Sequence, residues 1–307
     1  MIVCFDIGGT AIKGAIAYAP DDIRPFPRKP TPATDFDAFV GIMNDIILEA
    51  GERPDCVALS ICGIIDPDTN RAVVANIPCI HNRPLKADLE KALGLPVLIA
   101  NDADCFVLAE AALGAGRGHR VVFGAILGTG VGGGLVIDGH LINRDGGFAG
   151  EWGHGPIAAT EAGTPPVKLP RFQCGCGQMG CIDATCSARG IEKLHLHLNQ
   201  LTASSEDIVS AWENGDAAAS HTISVFLDVI SAPLALVVNI TGTTIIPVGG
   251  GLSNAPKLVS AIDTAVRSKI LRRFNRPLVV PAQCTIEPGL IGAAILGLSL
   301  IRDETNL

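Results

Sequence analysis

Residues 127–139 read LGTGVGGGLVIDG, with glycine at 128, 130, 132, 133 and 134. Glycine gives up more chain entropy on folding than any other residue, so a run of it belongs where the backbone bends tightly or is approached closely. Gly128, Gly130 and Gly133 satisfy the G-x-G-x-x-G dinucleotide fingerprint. That fingerprint requires a helix directly after it, because the helix N-terminus holds the pyrophosphate. Here LVI follows, then Asp138-Gly139, a β-rich run and a hairpin signal. Residues 121–127 (VVFGAIL) read as the strand that leads in. The stretch is therefore a glycine-lined β-hairpin and not a Rossmann turn, and GxxxxGK[ST] occurs nowhere in the chain. Successive N–H groups in such a turn form an anion-binding concavity, to which Thr129 and Gly132 belong by position.

The scheme recurs. Residues 2–8 (IVCFDIG) read as a buried strand and 12–18 (IKGAIAY) as its partner, across a turn with Gly8, Gly9 and Thr10 behind Asp6. A third glycine run, Gly249, Gly250 and Gly251 before Leu252, sits between a strand at 244–248 and a helix at 255–272, where backbone donors can face a nucleotide. Each run alone reads equally well as a tight turn; two hairpins and a strand-Gly₃-helix junction together favour phosphate. The remaining pattern gives helices at 36–50, 84–93, 103–113, 187–198, 205–213, 217–238 and 289–302, with strands at 56–62, 96–100, 140–142 and 278–283. Each half opens with a strand, a glycine turn and a returning strand, a weak duplication.

At 307 residues the chain is long for one core, so two domains are expected. It is 48% hydrophobic and 18% charged, the composition of a packed enzyme. With a net charge of −8 and no long basic run, nucleic acid is excluded as a partner. The apolar part of 223–246 is broken by Asp228, Pro233 and Asn239 and reads as a buried helix and a strand, not a membrane span. The N-terminus MIVCFDIGGT lacks a positively charged leader, which places the chain in the cytoplasm without a membrane partner.

Ten cysteines are present. Cys4, Cys56 and Cys62 lie in strand-like runs and read as buried thiols. Cys174, Cys176 and Cys181 form Cys-x-Cys-x₄-Cys on a glycine-rich loop, which suits tetrahedral zinc. The fourth ligand is either Cys186 or His154 of the upstream GEWGH. IANDADC places Asn101, Asp102 and Asp104 after a strand, where the acids serve as a helix cap or as a proton acceptor. Asp104 reads as a capping or surface acid.

DIGGT, ILGTGVGGGLVIDG, GEWGH, CGCGQMGC and VGGGLSNAP together resemble the signature set of the ROK sugar kinases, in family order over nearly the whole chain. The resemblance implies an α/β, two-lobed actin-like ATPase (ribonuclease H-like) fold with a duplicated β-hairpin phosphate-binding core. One lobe is expected over 1–116 plus 290–307 and the other over 117–289, with nucleotide and sugar meeting in the cleft. It implies that both hairpins hold ATP phosphates, that Gly249–Leu252 lie against the adenosine, and that Asp6 places Mg²⁺ through water. Asp102 becomes the base, Asn101 and Glu151 sugar contacts, and His154 the fourth ligand of a structural zinc and a sugar contact. The family is dimeric or tetrameric, so a homodimer or higher homo-oligomer is implied.

Three positions depart from the family pattern. Asp183 stands where the sugar-binding glutamate is usual, Gly63 follows Cys62 and not proline, and Ala11 replaces a lysine, with Lys13 two residues later. The segment VVANIPCIHNRPLKADLEKAL, with Asn76, resembles that of bacterial N-acetylglucosamine kinases. The expected reaction is ATP-dependent 6-phosphorylation of N-acetylglucosamine. The alternatives are a glucokinase, fructokinase or N-acetylmannosamine kinase, or a catalytically silent sugar sensor. A family repressor would need a winged helix ahead of the first phosphate strand, where the sequence leaves no room.

Overall fold

The computed structural model describes residues 1–305, with side chains to residue 301; residues 306–307, the end of the expected first lobe, lie outside it. The chain divides into two compact units, one of residues 1–118, 134–149 and 284 onwards, the other of 119–133 and 150–283.

The first unit begins with β1 (Ile2–Ile7), β2 (Ala11–Ala19), β3 (Asp22–Pro25), β4 (Lys29–Pro30) and α1 (Phe36–Glu49). Then come β5 (Val57–Ile61), β6 (Gly63–Ile65), β7 (Ala72–Val74), α2 (Leu85–Leu93), β8 (Val97–Asn101) and α3 (Asp102–Ala112). β1 and β2 pair antiparallel, with Ile7 opposite Ile12 and Asp6 opposite Lys13. β5 joins β1 in parallel, and β8 joins β5 in the same way. The sheet order is β3-β2-β1-β5-β8, with β4 on β2. β1 is apolar nearly throughout because both faces are covered, the condition under which strand alternation disappears. α1 starts where the Asp35 carboxylate accepts the Ala38 N–H at 3.0 Å and buries Phe39, Val40, Met43 and Ile46.

Next follow β9 (Val121–Leu127), β10 (Val131–Ile137), β11 (His140–Leu141), β12 (Glu161–Ala162) and β13 (Val167–Lys168). The helices α4 (Ile182–Cys186), α5 (Ala188–Asn199), α6 (Ser205–Glu213) and α7 (Ala217–Thr241) come after them. β14 (Ile246–Gly249), a 3₁₀ turn (Gly251–Asn254), α8 (Pro256–Arg267), β15 (Val279–Pro281) and α9 (Pro288–Thr305) complete the described chain. The second sheet is ordered β11-β10-β9-β14-β15, with β14 parallel to both β9 and β15. α7 is long and apolar enough to cross a membrane by length and composition. Its Ile223, Phe226, Ile230 and Leu234 are buried, and it packs on α5, α6 and α8, as the core helix of the second unit. In the first unit α9 lies so close to α3 that a Cβ on Gly292 would run into the Cys105 main chain.

Several elements differ from the sequence reading. β10 starts at Val131, four residues early, so Gly132–Gly134 lie inside a strand. Glycine disfavours strands, but here neighbours occupy the space a side chain would need. A Cβ on Gly133 would stand 2.7 Å from the Gly124 carbonyl and 2.9 Å from Trp152. One on Gly134 would stand 2.7 Å from Val107 of α3. The β6–β7 hairpin and α4 are three and five residues long, too short for periodicity to signal. α8 ends at Arg267, five residues before its expected end.

Candidate active site

In the first unit, the C-terminal end of β8 delivers Asn101 and Asp102 to the start of α3. Asn101 is the N-cap: its Oδ1 accepts the Ala103 N–H at 2.8 Å, while its Nδ2 donates to the Gly63 carbonyl at 2.9 Å. Asp102 Oδ1 accepts the same N–H at 2.9 Å. The Asp102 side chain is open to solvent on one side with protein packed around the rest, and that burial raises its pKa. The charge of Asp6 adds to the shift, and hydrogen bonds from the Ala103 N–H and the Cys62 thiol oppose it. Cys62 is exposed, not buried as its strand-like setting suggested, yet protein packed around part of its side chain and the charge of Asp102 push its thiol up to about 11. Asp104 is no surface acid; it is buried and accepts from Asn143 Nδ2 at 3.1 Å.

Asp6, at the end of β1, accepts from Ser60 Oγ at 3.0 Å and Lys13 Nζ at 3.1 Å. Lys13 also reaches Glu287 at 2.5 Å, and Glu287 holds Arg28 at 2.8 Å. Burial pulls the Lys13 pKa down, but its bonds to Glu287 and Asp6 outweigh this and raise it. Burial likewise works to raise Glu287, and Lys13 and Arg28 bring it below its ordinary value. The first turn closes with the Gly8 N–H on the Ala11 carbonyl at 3.0 Å, leaving Thr10 exposed. Asn76 is exposed and packs on this turn, 3.1 Å from where a Cβ on Gly9 would sit.

In the second unit the glycine run divides by role. Thr129 and Gly130 are exposed and Gly128 half-buried, forming an open tip closed by the Gly128 N–H on the Gly130 carbonyl at 3.0 Å. Gly132 and Gly133 serve packing, with Trp152 Nε1 donating to the Gly132 carbonyl at 2.8 Å. The third run packs on this tip. Gly250 has φ +86°, and a Cβ there would lie 2.5 Å from the Leu127 carbonyl, so only glycine fits. Gly249 is buried at the end of β14, while Gly250 and Gly251 are exposed. Gly251 and Leu252 line a recess of about 350 Å³ whose other wall is α6, with Glu206, Val209, Ser210 and Glu213. That wall carries no glycine or charge motif, so the sequence alone gave no sign of it.

His154, Cys174, Cys176 and Cys181 converge, with their donor atoms all within 4.8 Å of one another. The Cys176 and Cys181 sulfurs lie 3.6 Å apart, and His154 Nδ1 lies 3.6 Å from Cys174 Sγ. Tetrahedral zinc with bonds of about 2.3 Å to sulfur places its thiolates about 3.8 Å apart, so the donor set fits the ion. The three thiols shift in opposite directions. The Gln178 N–H, with the neighbouring thiols and His154, brings Cys176 down to about 7, whereas burial pushes Cys174 up to about 12 and raises Cys181 as well, so the donor geometry and not the titration carries the fit. The other ring nitrogen of His154 faces Glu151 Oε2 at 3.8 Å. Cys186, the other candidate, is buried in α4 outside the four. Asp183 is already engaged: its Oδ1 accepts the Val131 N–H at 2.7 Å, and its Oδ2 lies 3.4 Å from Cys174 Sγ.

The chain matches the profile of the ROK family over residues 2–299. It belongs to the ROK family. Among its relatives, the N-acetyl-D-glucosamine kinase of Pectobacterium atrosepticum is 34% identical over 297 residues, 96% of this chain and 98% of that protein. Among solved structures, the ROK hexokinase of Thermus thermophilus superposes with a TM-score of 0.83 at 27% identity, covering 98% of this chain and 99% of that one. The ROK glucokinase of Streptomyces griseus, solved with glucose and AMPPNP, gives 0.70 at 27% identity over 97% and 99%. This ROK chain has the mixed α/β, actin-like ATPase fold of its structural neighbours.

Proposed function

We propose that the chain transfers the γ-phosphoryl group of ATP to the 6-hydroxyl of N-acetyl-D-glucosamine, with Asp102 as the general base. The chain is a sugar kinase of the ROK family; its sugar and its base are the proposal. The observation that carries the base is Asp102 itself, a carboxylate at a strand end with burial raising its pKa beside Asn101 and Gly63. A general base works best when its pKa approaches the working pH. As the 6-oxygen attacks phosphorus and the bond to ADP breaks, the hydroxyl proton passes to Asp102.

In this reading the N–H groups of Gly9 and Thr10 in the first turn and of Thr129 and Gly130 in the second serve the phosphates, those of Gly8 and Gly128 closing the turns, and the recess beside Leu252 takes the adenosine. In the same reading Lys13 and Asp6, joined at 3.1 Å, serve the phosphates and their Mg²⁺, a cation that keeps most of its water and uses few carboxylates. Zinc held by His154, Cys174, Cys176 and Cys181 has four protein ligands and serves as a structural crosslink. Glu151, in contact with His154, is left to bind sugar hydroxyls together with Asn76 and Asn101.

Support for the sugar comes from the relatives named for N-acetyl-D-glucosamine and from the segment around Asn76. Glucose is the second reading, favoured by the hexokinase and glucokinase among the structural neighbours. ADP release with Mg-ATP against N-acetylglucosamine, N-acetylmannosamine, glucose and fructose separates them. The highest kcat/KM is expected for N-acetylglucosamine. A higher value for another sugar overturns the substrate, and silence on all four from metal-loaded protein overturns the kinase.

A further inference from the structure

Asp183 was expected to reach the sugar, yet within its own unit it is committed elsewhere. Its Oδ1 accepts the Val131 N–H at 2.7 Å, a short charge-assisted bond to the residue that opens β10. The neighbouring glycine is shaped by this carboxylate: a Cβ on Gly130 would stand 2.8 Å from Oδ1. The Asp183 N–H donates to the Gly153 carbonyl at 2.9 Å, next to the ligand His154, and Asp183 follows the ligand Cys181 by two residues. The other end of the tip is also held, because the Ala188 N–H at the start of α5 donates to the Gly128 carbonyl at 2.8 Å.

From this geometry we propose that Asp183 is a positioning residue for the second phosphate hairpin, through which the metal-binding loop fixes the Gly128–Gly130 tip for nucleotide. The inference rests on the reading of that tip as a phosphate site. It moves residue 183 from the sugar half of the reaction to the nucleotide half. When a metal is bound Cys174 is a thiolate and donates nothing to Oδ2, but the bond from Val131 does not depend on that contact. Aspartate suits this role because its short side chain reaches Val131 from the first turn of α4.

The test uses the full chain with its metal, comparing wild type with Asp183→Ala, Asp183→Asn and Asp183→Glu. Metal content and thermal unfolding are measured first. Calorimetry then gives the affinity for Mg-AMPPNP without sugar and for N-acetylglucosamine without nucleotide, beside kcat and both KM values. Loss of a hydrogen bond to a charged group predicts that Asp183→Ala weakens nucleotide roughly tenfold or more. Its KM for ATP should rise in parallel, with sugar affinity and metal content near those of the wild type. Asp183→Asn keeps an acceptor oxygen and should recover most of the nucleotide affinity. Asp183→Glu keeps the charge but displaces it, and should not.

Unchanged nucleotide affinity in Asp183→Ala, or a loss falling on the sugar, overturns the proposal. If Asp183→Ala loses its metal, the contrast between Asp183→Asn and Asp183→Glu decides, and equal nucleotide affinities in those two overturn it. If the wild type binds no nucleotide, the kinase reading fails with it; if the wild type binds and the variants match it, only the role of Asp183 fails.

Discussion

Replacing Asp102 by asparagine tests the catalytic assignment most directly, because the structure separates its chemistry from its fold. The amide preserves the shape of the side chain and an acceptor for the Ala103 N–H, and Asn101 caps α3 through its own Oδ1 at 2.8 Å. What disappears is the proton acceptor. General bases contribute roughly 10²–10⁴ in rate. Burial, with Asp6 beside it, raises the pKa of this carboxylate and makes it a stronger base than an exposed one. The loss in kcat should therefore fall in the upper part of that range, roughly 10³–10⁴, or about 4–5.5 kcal/mol of barrier.

Stability moves differently. A folded-state pKa raised above the unfolded value gives a contribution that is full below the unfolded pKa and lost as pH rises through the folded one. Ionised Asp102 is thus a burden near neutrality, and Asp102→Asn should unfold at the same temperature as wild type or higher at pH 7. Coupled ADP-release assays from pH 5 to 9, calorimetry for both substrates and thermal scans check the three parts. Wild-type kcat/KM should fall on the acid side with an inflection above the ordinary aspartate range, and both ligands should still bind the variant. A kcat within tenfold of wild type, or an acid limb unchanged in the variant, would refute the assignment.

The glycine run offers a paired contrast. Gly133→Ala places a Cβ 2.7 Å from the Gly124 carbonyl and should cost about 1–3 kcal/mol of stability in denaturant titrations, whereas Gly128→Ala meets nothing nearer than 3.8 Å and should lose nucleotide affinity at unchanged stability. Atomic absorption should find one zinc per chain, retained by Cys186→Ser and weakened at least about tenfold in His154→Ala. Retention of full zinc affinity by His154→Ala would refute the ligand set. Glu287→Gln removes a carboxylate whose pKa is depressed, so its stability contribution is present above the unfolded pKa and lost as pH falls through the folded one. The side chain is 30% exposed, so the cost in chemical unfolding at pH 7 should be at most about 1 kcal/mol, vanishing in acid; an equal cost at both extremes would contradict this.

Much of the molecule was legible because its signals are local. Asp138-Gly139 after a β-rich run marks a hairpin whatever surrounds it, and this excludes a dinucleotide-binding turn there. Cys-x-Cys-x₄-Cys confined three soft donors to one short loop, and a strand ending in Asn101-Asp102 fixed where the acid would emerge. What remained hidden depends on partners distant along the chain. No local pattern shows that Trp152 needs Gly132 and Gly133, or that α3 needs Gly134, so a run that looks uniform contains an open tip and a packed strand. That His154 and not Cys186 lies among the three cysteines depends on the tertiary fold, since Cys186 is nearer in sequence but fully buried in α4 outside that cluster.

The sequence by itself determined the order of the longer elements, the two glycine hairpins and the inventory of acids and thiols, because periodicity and turn chemistry act within a few residues. The tertiary structure alone decided what those groups do to one another. It raised the pKa of Asp102 by crowding protein and Asp6 around it, tied Lys13 to Glu287, and turned Asp183 onto the Val131 amide. Desolvation and hydrogen bonding depend on distances of a few ångströms between residues tens to hundreds of positions apart, and only the folded chain sets those distances.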